Sequence, residues 1–138
     1  MTKDKLMLNL EIVTPEKKVL NEAVDSVTIP TASGEVGILE NHAPLISSLK
    51  AGVLTYTKTG ATERLVITGG FVEVSQNNVS ILTDTAETAA EIDVENARAE
   101  REAAERELNA WSGSVEESEA QRERLERAQA RLSLGSGR

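Results

Sequence analysis

Short hydrophobic stretches that alternate with polar residues follow one another through the first 85 residues of the chain. The first, at residues 8–12, reads Leu-Asn-Leu-Glu-Ile, which is the period-two pattern of a half-buried strand. Similar stretches lie at residues 19–20, 27–29, 36–39, 53–56, 65–67, 71–74 and 79–82. Turn residues such as Pro15, Gly60 and the pair Gly69-Gly70 separate them. Strands at this spacing, with no helical pattern between them, predict two packed antiparallel sheets.

A helical pattern replaces the strands after residue 86. This part is dense in alanine, glutamate and arginine, and its main break is Ser112-Gly113-Ser114. Asp93 is placed to cap a first helix, because a carboxylate there lies at the positive end of the helix dipole. Apolar stripes follow, with Ala97, Ala104, Leu108 and Trp111 on the first helix and Leu125, Ala128 and Leu132 on the second. The short break predicts that the two helices form an antiparallel hairpin.

The predicted hairpin is held by small side chains. Alanines let two helices approach closely but bury little apolar area, and burial stabilises by only about 25 cal/mol per Å². We therefore expect the hairpin to be weakly stable and able to leave one docking surface for another. These patterns divide the chain into a β-sandwich domain at residues 1–86 and a helical hairpin domain at residues 87–138.

Composition removes several classes of function. The chain has 15 Lys+Arg against 23 Asp+Glu, a net charge of -8, so the phosphate backbone of a nucleic acid would be repelled. It has no cysteine and a single histidine, His42, which excludes thiolate chemistry and a multi-histidine metal site. No apolar signal segment and no stretch near the roughly 18 apolar residues of a membrane span are present, which favours a cytosolic-type chain.

Catalytic motifs are also missing from the sequence. There is no G-x-S-x-G, Walker A or G-x-G-x-x-G pattern, and the acidic residues lie on the helical part or singly at strand ends. Gly69-Gly70 lies between two predicted strands, which favours a bulge or turn over a phosphate-binding loop. We expect neither a catalytic site nor a metal site.

The segment at residues 33–45 is a shaped connection that carries Glu35 and His42. Its glycines permit positive φ, and Pro44 keeps the preceding residue out of the helical region. Two interpretations stay open. His42 bonds backbone groups of its own turn, or Glu35 and His42 project at one end of the sandwich and contact a polar partner.

The second predicted helix carries Arg124, Arg127 and Arg131 at steps of three and four. These arginines either pair with Glu123 and Glu126 on a solvated face or hold the phosphate oxygens of an anion. The spacing alone fits both interpretations.

Several segments resemble those of the epsilon subunits of F-type ATP synthases, in the order and spacing of that family. They are Val13-Thr14-Pro15, residues 33–39 (Ser-Gly-Glu-Val-Gly-Ile-Leu), 41–45 (Asn-His-Ala-Pro-Leu), 69–74 (Gly-Gly-Phe-Val-Glu-Val) and 78–82 (Asn-Val-Ser-Ile-Leu), leading to Ala86-Glu87. The resemblance extends over essentially the whole chain.

This resemblance implies a ten-stranded antiparallel β-sandwich followed by the helical hairpin, in a rotor subunit without an active site of its own. The sandwich would bind the gamma subunit and rest on the ring of c subunits, with Glu35 and His42 at the c-ring contact. Such a subunit couples proton-driven rotation of the c-ring to ATP synthesis in the alpha/beta head. Its helices, on reaching the alpha and beta subunits, would inhibit ATP hydrolysis.

The resemblance also raises ATP as a regulatory ligand of the hairpin. The residues that match the family's ATP-binding pattern are Glu87, Ile92, Asp93, Ala97, Arg127 and Arg131. Asn96 stands where the family's Ile/Leu-Asp-x-x-Arg-Ala motif has its arginine. Two alternatives therefore stay open: the chain binds regulatory ATP, or it binds no cofactor.

Alternatives to the rotor subunit are a stand-alone ATP-sensing module and an adaptor β-sandwich. The location implied by the resemblance is peripheral, on the cytoplasmic side of a bacterial inner membrane. We prefer this to an organelle because no Arg/Ser-rich transit segment precedes the first strand. The stromal side of the chloroplast thylakoid is the alternative for a plastid-encoded chain.

Overall fold

The computed structural model of the protein describes residues 7–135, in which a β-sheet structure precedes two helices. The strands are β1 (Leu8–Val13), β2 (Lys18–Val24), β3 (Ser26–Thr31), β4 (Gly34–Ile38), β5 (Leu45–Lys58), β6 (Ala61–Ser75), β7 (Asn78–Leu82) and β8 (Ala86–Glu87). The helices are α1 (Val94–Asn109) and α2 (Glu119–Gly135), with short 3-10 turns at Ala89–Glu91 and Glu116–Ser118.

The strands are hydrogen-bonded in the order β2-β1-β7-β6-β5-β3-β4, with β8 paired to β6 beside this path. β1 and β7 run parallel, from Asn9 opposite Asn78 to Val13 opposite Leu82, while the other pairs are antiparallel. The expectation of ten antiparallel strands is therefore wrong on two counts. The described residues form eight strands, and their sheet is mixed.

Two long strands explain the lower strand count. β5 and β6 have 14 and 15 residues and pair from Leu45 opposite Val74 to Lys58 opposite Ala61. Gly69 and Gly70 lie within β6 at φ 80 and 104. The turn predicted at Gly69-Gly70 is thus a bend inside a continuous strand, since glycine adopts positive φ without the clash of a side chain.

The bend folds the sheet over a single aliphatic core. Side chains of β1, β7 and the last part of β6 meet those of β3, β4 and the second part of β5. The fully buried members include Leu8, Leu10, Ile12, Ile29, Ile38, Leu54, Ile67 and Ile81. This packing of two layers across one core confirms the predicted sandwich architecture.

The hairpin begins where the sequence predicts. The side chain of Asp93 accepts a hydrogen bond of 3.0 Å from the backbone N–H of Asn96 and caps α1. Ala97 and Ala104 are buried, as the stripe predicts. Trp111 instead lies beyond the end of α1, where its indole Nε1 donates a 2.9 Å hydrogen bond to Ser114 O within the connection. The stripe therefore ends before Trp111.

The hairpin packs on the outer face of β5 and β6. A second apolar cluster, separate from the core of the sandwich, lies between the hairpin and these strands. It contains Val66, Ile92 and Leu134, with Val53, Val94 and Ala130 packed against them. Leu134, which lies outside the predicted stripe of the second helix, is buried, while Leu125 and Leu132 are half-buried. The contact between α2 and the sandwich therefore lies near the C-terminal end of α2, where Leu134 packs with Ile92, a residue of the segment that precedes α1. Neither α1 nor α2 is long and apolar enough to cross a membrane.

Candidate functional site: surfaces of the sandwich and contacts beneath the hairpin

An exposed apolar row crosses the outer face of the sandwich. It consists of Val13 on β1, Leu82 on β7 and Phe71 on β6, and Leu82 lies directly opposite both of the others. Phe71 is 58% exposed and Leu82 is 56% exposed, while Val13 is half-buried. Their sequence neighbours point into the core, so successive side chains alternate and these three point outward.

The apolar row borders a shallow cavity of about 360 Å³, whose lining includes Pro15 and Asp84. Ile46, 76% exposed, lies on β5 opposite Glu73, two residues from Ser48, which is the residue opposite Phe71. A contiguous exposed apolar patch with a polar rim is typical of a protein interaction site. Sequence reasoning missed it, although the signal is present, because Phe71 occupies an outward position of an alternating strand.

Glu35 is an exposed residue near the start of β4, opposite Pro30 of β3. β4 is the last strand in the hydrogen-bonding order, so Glu35 lies on a sheet edge. His42 follows the other end of β4. Glu35 and His42 therefore lie toward opposite ends of β4, Glu35 near its start and His42 in the turn after its end.

His42 is half-buried in a turn that the backbone holds in place. Its N–H donates to Leu39 O at 3.2 Å, and its Nδ1 lies 2.6 Å from Ala43 O, so Nδ1 is the protonated donor. Asn41, at φ 65, donates its backbone N–H to Oδ1 of Asn77 at 2.6 Å. The first interpretation of His42, that it bonds backbone of its own turn, agrees with this geometry, and Nε2 takes no part in that bond.

Glu87 and Arg131, two of the six candidate ATP-binding residues, form an ion pair. Arg131 donates from Nε to Glu87 Oε1 at 2.9 Å and from Nη2 to Glu87 Oε2 at 3.3 Å. Its Nη1 donates to Oδ1 of Asn96 at 2.9 Å. We call Glu87, Asn96 and Arg131 the Arg131 cluster. With Arg131 14% and Glu87 27% exposed, this is the least exposed ion pair within residues 7–135.

Three of the other candidate ATP-binding residues are buried or take part in contacts that hold the fold. Ile92 is buried in the cluster beneath the hairpin, Asp93 caps α1, and Ala97 has no exposed surface. The cap engages Oδ1 of Asp93, and Ala97 has no surface for a ligand. The structure therefore brings together Glu87 and Arg131, next to the unpredicted Asn96.

Arg127 lies one turn before Arg131 and lines a different cavity of about 370 Å³. Lys50, Asp84 and Glu123 also line it, so two cations and two anions surround the space. The side chain of Arg127 forms no hydrogen bond or ion pair with another residue of the described part of the chain. The mixed charges give this cavity no clear preference for an anion.

The arginine stripe does not pair along its own helix as one interpretation proposed. Arg124 reaches across the hairpin to Glu100 at 3.3 Å and Glu107 at 3.1 Å, and these hydrogen bonds raise the pKa of its guanidinium. Glu126 instead lies 3.6 Å from Lys50 on β5. The charges of α2 therefore join it to α1 and to the sandwich.

No cluster of three or more potential metal-ligating His, Cys, Asp or Glu side chains occurs among residues 7–135.

The chain is similar to known proteins both in its sandwich domain and over most of its length. Residues 7–89 match the family model described as ATP synthase, Delta/Epsilon chain, beta-sandwich domain. The ATP synthase epsilon chain of Symbiobacterium thermophilum is 42% identical over 126 residues, which are 91% of this chain and 90% of that protein. The epsilon chain of Desulfitobacterium hafniense strain Y51 is 49% identical over 104 residues, 75% of this chain and 79% of that protein. The chain belongs to the ATP synthase epsilon chain family.

A solved structure agrees with this assignment. A chain of the Euglena gracilis mitochondrial ATP synthase, from a structure of OSCP, F1 and the c-ring in rotational state 1, superposes with a TM-score of 0.77 at 28% identity. The alignment covers 96% of the present chain and 87% of the Euglena chain. Family membership agrees with the expectation that this chain is a non-catalytic subunit of a larger enzyme.

Proposed function

We propose that the protein is the epsilon subunit of an F-type ATP synthase, a rotor component that couples proton-driven rotation of the c-ring to ATP synthesis in the alpha/beta head. The alignment with epsilon chains over 91% of its length carries this proposal. The resemblance of the Euglena chain, which comes from an assembly of F1 with a c-ring, supports it. Deleting the chain from an assembled synthase should uncouple proton flow from ATP synthesis, and normal coupling without it would refute the assignment.

The gamma subunit is the partner we assign to the apolar row. A joint between two rotor subunits has to exclude water over a continuous surface, and the row with its cavity supplies the apolar centre of such a surface. Burying a half-exposed Phe or Leu contributes roughly 1–2 kcal/mol each, so Phe71→Asp should weaken binding at least tenfold. Val115→Asp is the matched control, because Val115 is 69% exposed in the hairpin connection. Equal retention of both variants by purified gamma would refute this contact.

The c-ring is the partner we assign to Glu35 and His42. Both lie along an edge strand or just after it, where no neighbouring strand covers them. Because the chain has no cysteine, single substitutions at each position provide specific cross-linking sites. Glu35→Cys and His42→Cys should cross-link to the c-ring in the assembled complex, whereas Thr59→Cys, in the turn between β5 and β6, should not. Cross-linking from Thr59 alone would contradict the placement.

The hairpin is the part to which we assign inhibition of ATP hydrolysis, through contacts of its arginines with the alpha and beta subunits. The division into a sandwich at residues 1–86 and a regulatory hairpin at 87–138 belongs to this proposal, although residue 86 falls inside β8. Removing residues 88–138 leaves β8 intact and should raise the ATPase activity of the assembled complex. Unchanged activity would show that the hairpin does not inhibit.

A peripheral position on the cytoplasmic side of a bacterial inner membrane fits the proposed assembly. The Symbiobacterium and Desulfitobacterium relatives, both bacterial, support this location. The protein should sediment with membranes and leave them when the F1 head is stripped off. Retention after complete removal of the head and of gamma would require a separate attachment.

A further inference from the structure

The Arg131 cluster joins three elements that are distant in sequence. Glu87 belongs to β8, which is fixed by its pairing with Val66 and Ile67 of β6. Asn96 belongs to the first turn of α1, and Arg131 belongs to α2. One guanidinium therefore connects the sandwich to both helices of the hairpin.

The remaining contacts of the hairpin are weak. The buried residues between α1 and α2 are largely alanines, which bury little area. Two buried atoms of the helices, Nε of Arg101 and Oε1 of Gln121, have no hydrogen-bond partner, and such atoms lose the stabilisation that water would give them. Among residues 7–135, the buried apolar residues between the hairpin and the sandwich are Val66, Ile92 and Leu134. The Glu87–Arg131 pair, which is less exposed than the pairs of Arg124 with Glu100 and Glu107 and of Lys50 with Glu126, is thus one of the contacts that hold the hairpin.

The cluster also needs no added ligand. All three nitrogens of the Arg131 guanidinium donate to an acceptor of the chain itself, two to Glu87 and one to Asn96. The carboxylate of Glu87 neutralises the cation, so an anion that approached Arg131 would have to displace it.

We propose that Glu87, Asn96 and Arg131 form a ligand-independent latch that holds α2 on the sandwich, and that opening the latch releases α2 without unfolding the sandwich. Fixed acceptors on β8 and α1 make the latch specific for one position of α2, because a bidentate arginine–carboxylate pair requires both planes to align. The latch concerns the chain itself, so its test is independent of the place proposed for the chain in the synthase.

Hydrogen exchange of the full-length chain without nucleotide tests the latch. We expect amides of α2 to exchange about tenfold faster in Arg131→Gln and Glu87→Gln, which corresponds to about 1.4 kcal/mol. Amides of β1 and β7 should be unchanged. Arg98→Gln is the control, because Arg98 is an exposed arginine whose ion pair, with Glu95, lies inside α1.

Specific results would overturn the proposal. Equal exchange of α2 in Arg131→Gln and Arg98→Gln would show that the cluster does not hold α2. Equal acceleration in β1, β7 and α2 would show that Arg131 stabilises the whole fold and is not a latch. The double variant Glu87→Gln/Arg131→Gln should exchange no faster than either single variant, and additive effects would show that the two side chains act separately. Slower exchange of α2 in the natural chain at millimolar ATP would refute ligand independence.

Discussion

Replacing Gly70 by alanine tests the bend that allows β6 to serve both layers of the sandwich. Gly70 has φ 104, and a Cβ there would lie 1.8 Å from Leu82 O, 2.8 Å from Leu82 C and 2.9 Å from Thr83 Cα. All three are backbone atoms of the chain segment that ends β7. No side chain can rotate away to make room, so the backbone itself must shift.

The expected loss of stability has two parts. Holding a non-glycine residue at a sparsely populated positive φ costs about 1–3 kcal/mol. Forcing an extra methyl into a closely packed position destabilises by another 1–3 kcal/mol or so. Gly70→Ala should therefore lower the free energy of unfolding by roughly 2–6 kcal/mol, a large part of the 5–15 kcal/mol typical of a folded protein.

Two matched variants separate these contributions in urea unfolding followed by circular dichroism. Gly34 has φ 119 but nothing within 4 Å of its added Cβ, so Gly34→Ala should lose only the backbone part. Gly37 has an ordinary φ and open space, so Gly37→Ala should change stability by less than about 0.5 kcal/mol. If Gly70→Ala were no less stable than Gly34→Ala, the steric reasoning would be refuted.

Three further predictions concern the hairpin and the segment before it. Asp93→Ala should destabilise the start of α1 by about 1 kcal/mol, because Asn96 N–H loses its acceptor, and faster amide exchange in that turn measures it. The pKa of Glu91 is lowered mainly by the hydrogen bond from the Thr88 backbone N–H, so this bond stabilises the fold above the carboxylate's ordinary pKa and is lost as pH falls through the lowered value. A carbon-13 titration midpoint at or above the ordinary value would contradict this. Titration of the full chain with ATP should leave the amide signals of Ile92, Asp93 and Arg131 unchanged, since Arg131 is already paired, whereas saturable shifts lost in Arg127→Ala would establish an ATP site.

Local features of the sequence predict local structure well in this protein. The apolar residues of the alternating segment 8–12 are the buried residues of β1. The Asp93 cap was also predictable, because it needs only a backbone N–H three residues further along the chain. For Gly69-Gly70 the sequence predicts a bulge or turn and the structure has a bend within β6, because glycine pairs signal positive φ but not whether the strand continues. An alternating pattern indicates which face of a strand is buried, but it does not indicate which strand lies beside it. The parallel pairing of β1 with β7 could therefore not be predicted from the pattern.

The candidate site depends on partners far apart in the chain. Arg131 and Glu87 are 44 residues apart, and Arg124 selects Glu100 and Glu107 over the glutamates of its own helix. Helical spacing identifies these arginines as neighbours on one face but does not identify the element opposite them. The apolar row is likewise assembled from three strands and appears only when β1, β7 and β6 are placed side by side.

The paired strands β5 and β6 have a mechanical consequence. They run without interruption from the layer that carries the apolar row to the layer beneath the hairpin, joined by backbone hydrogen bonds on both sides of the bend. A torque applied to one layer is therefore carried to the other along the covalent backbone of β5 and β6. The backbone hydrogen bonds between the two strands share this load. The two layers cannot slide past each other without breaking these bonds, so the sandwich should transmit twist as a stiff body.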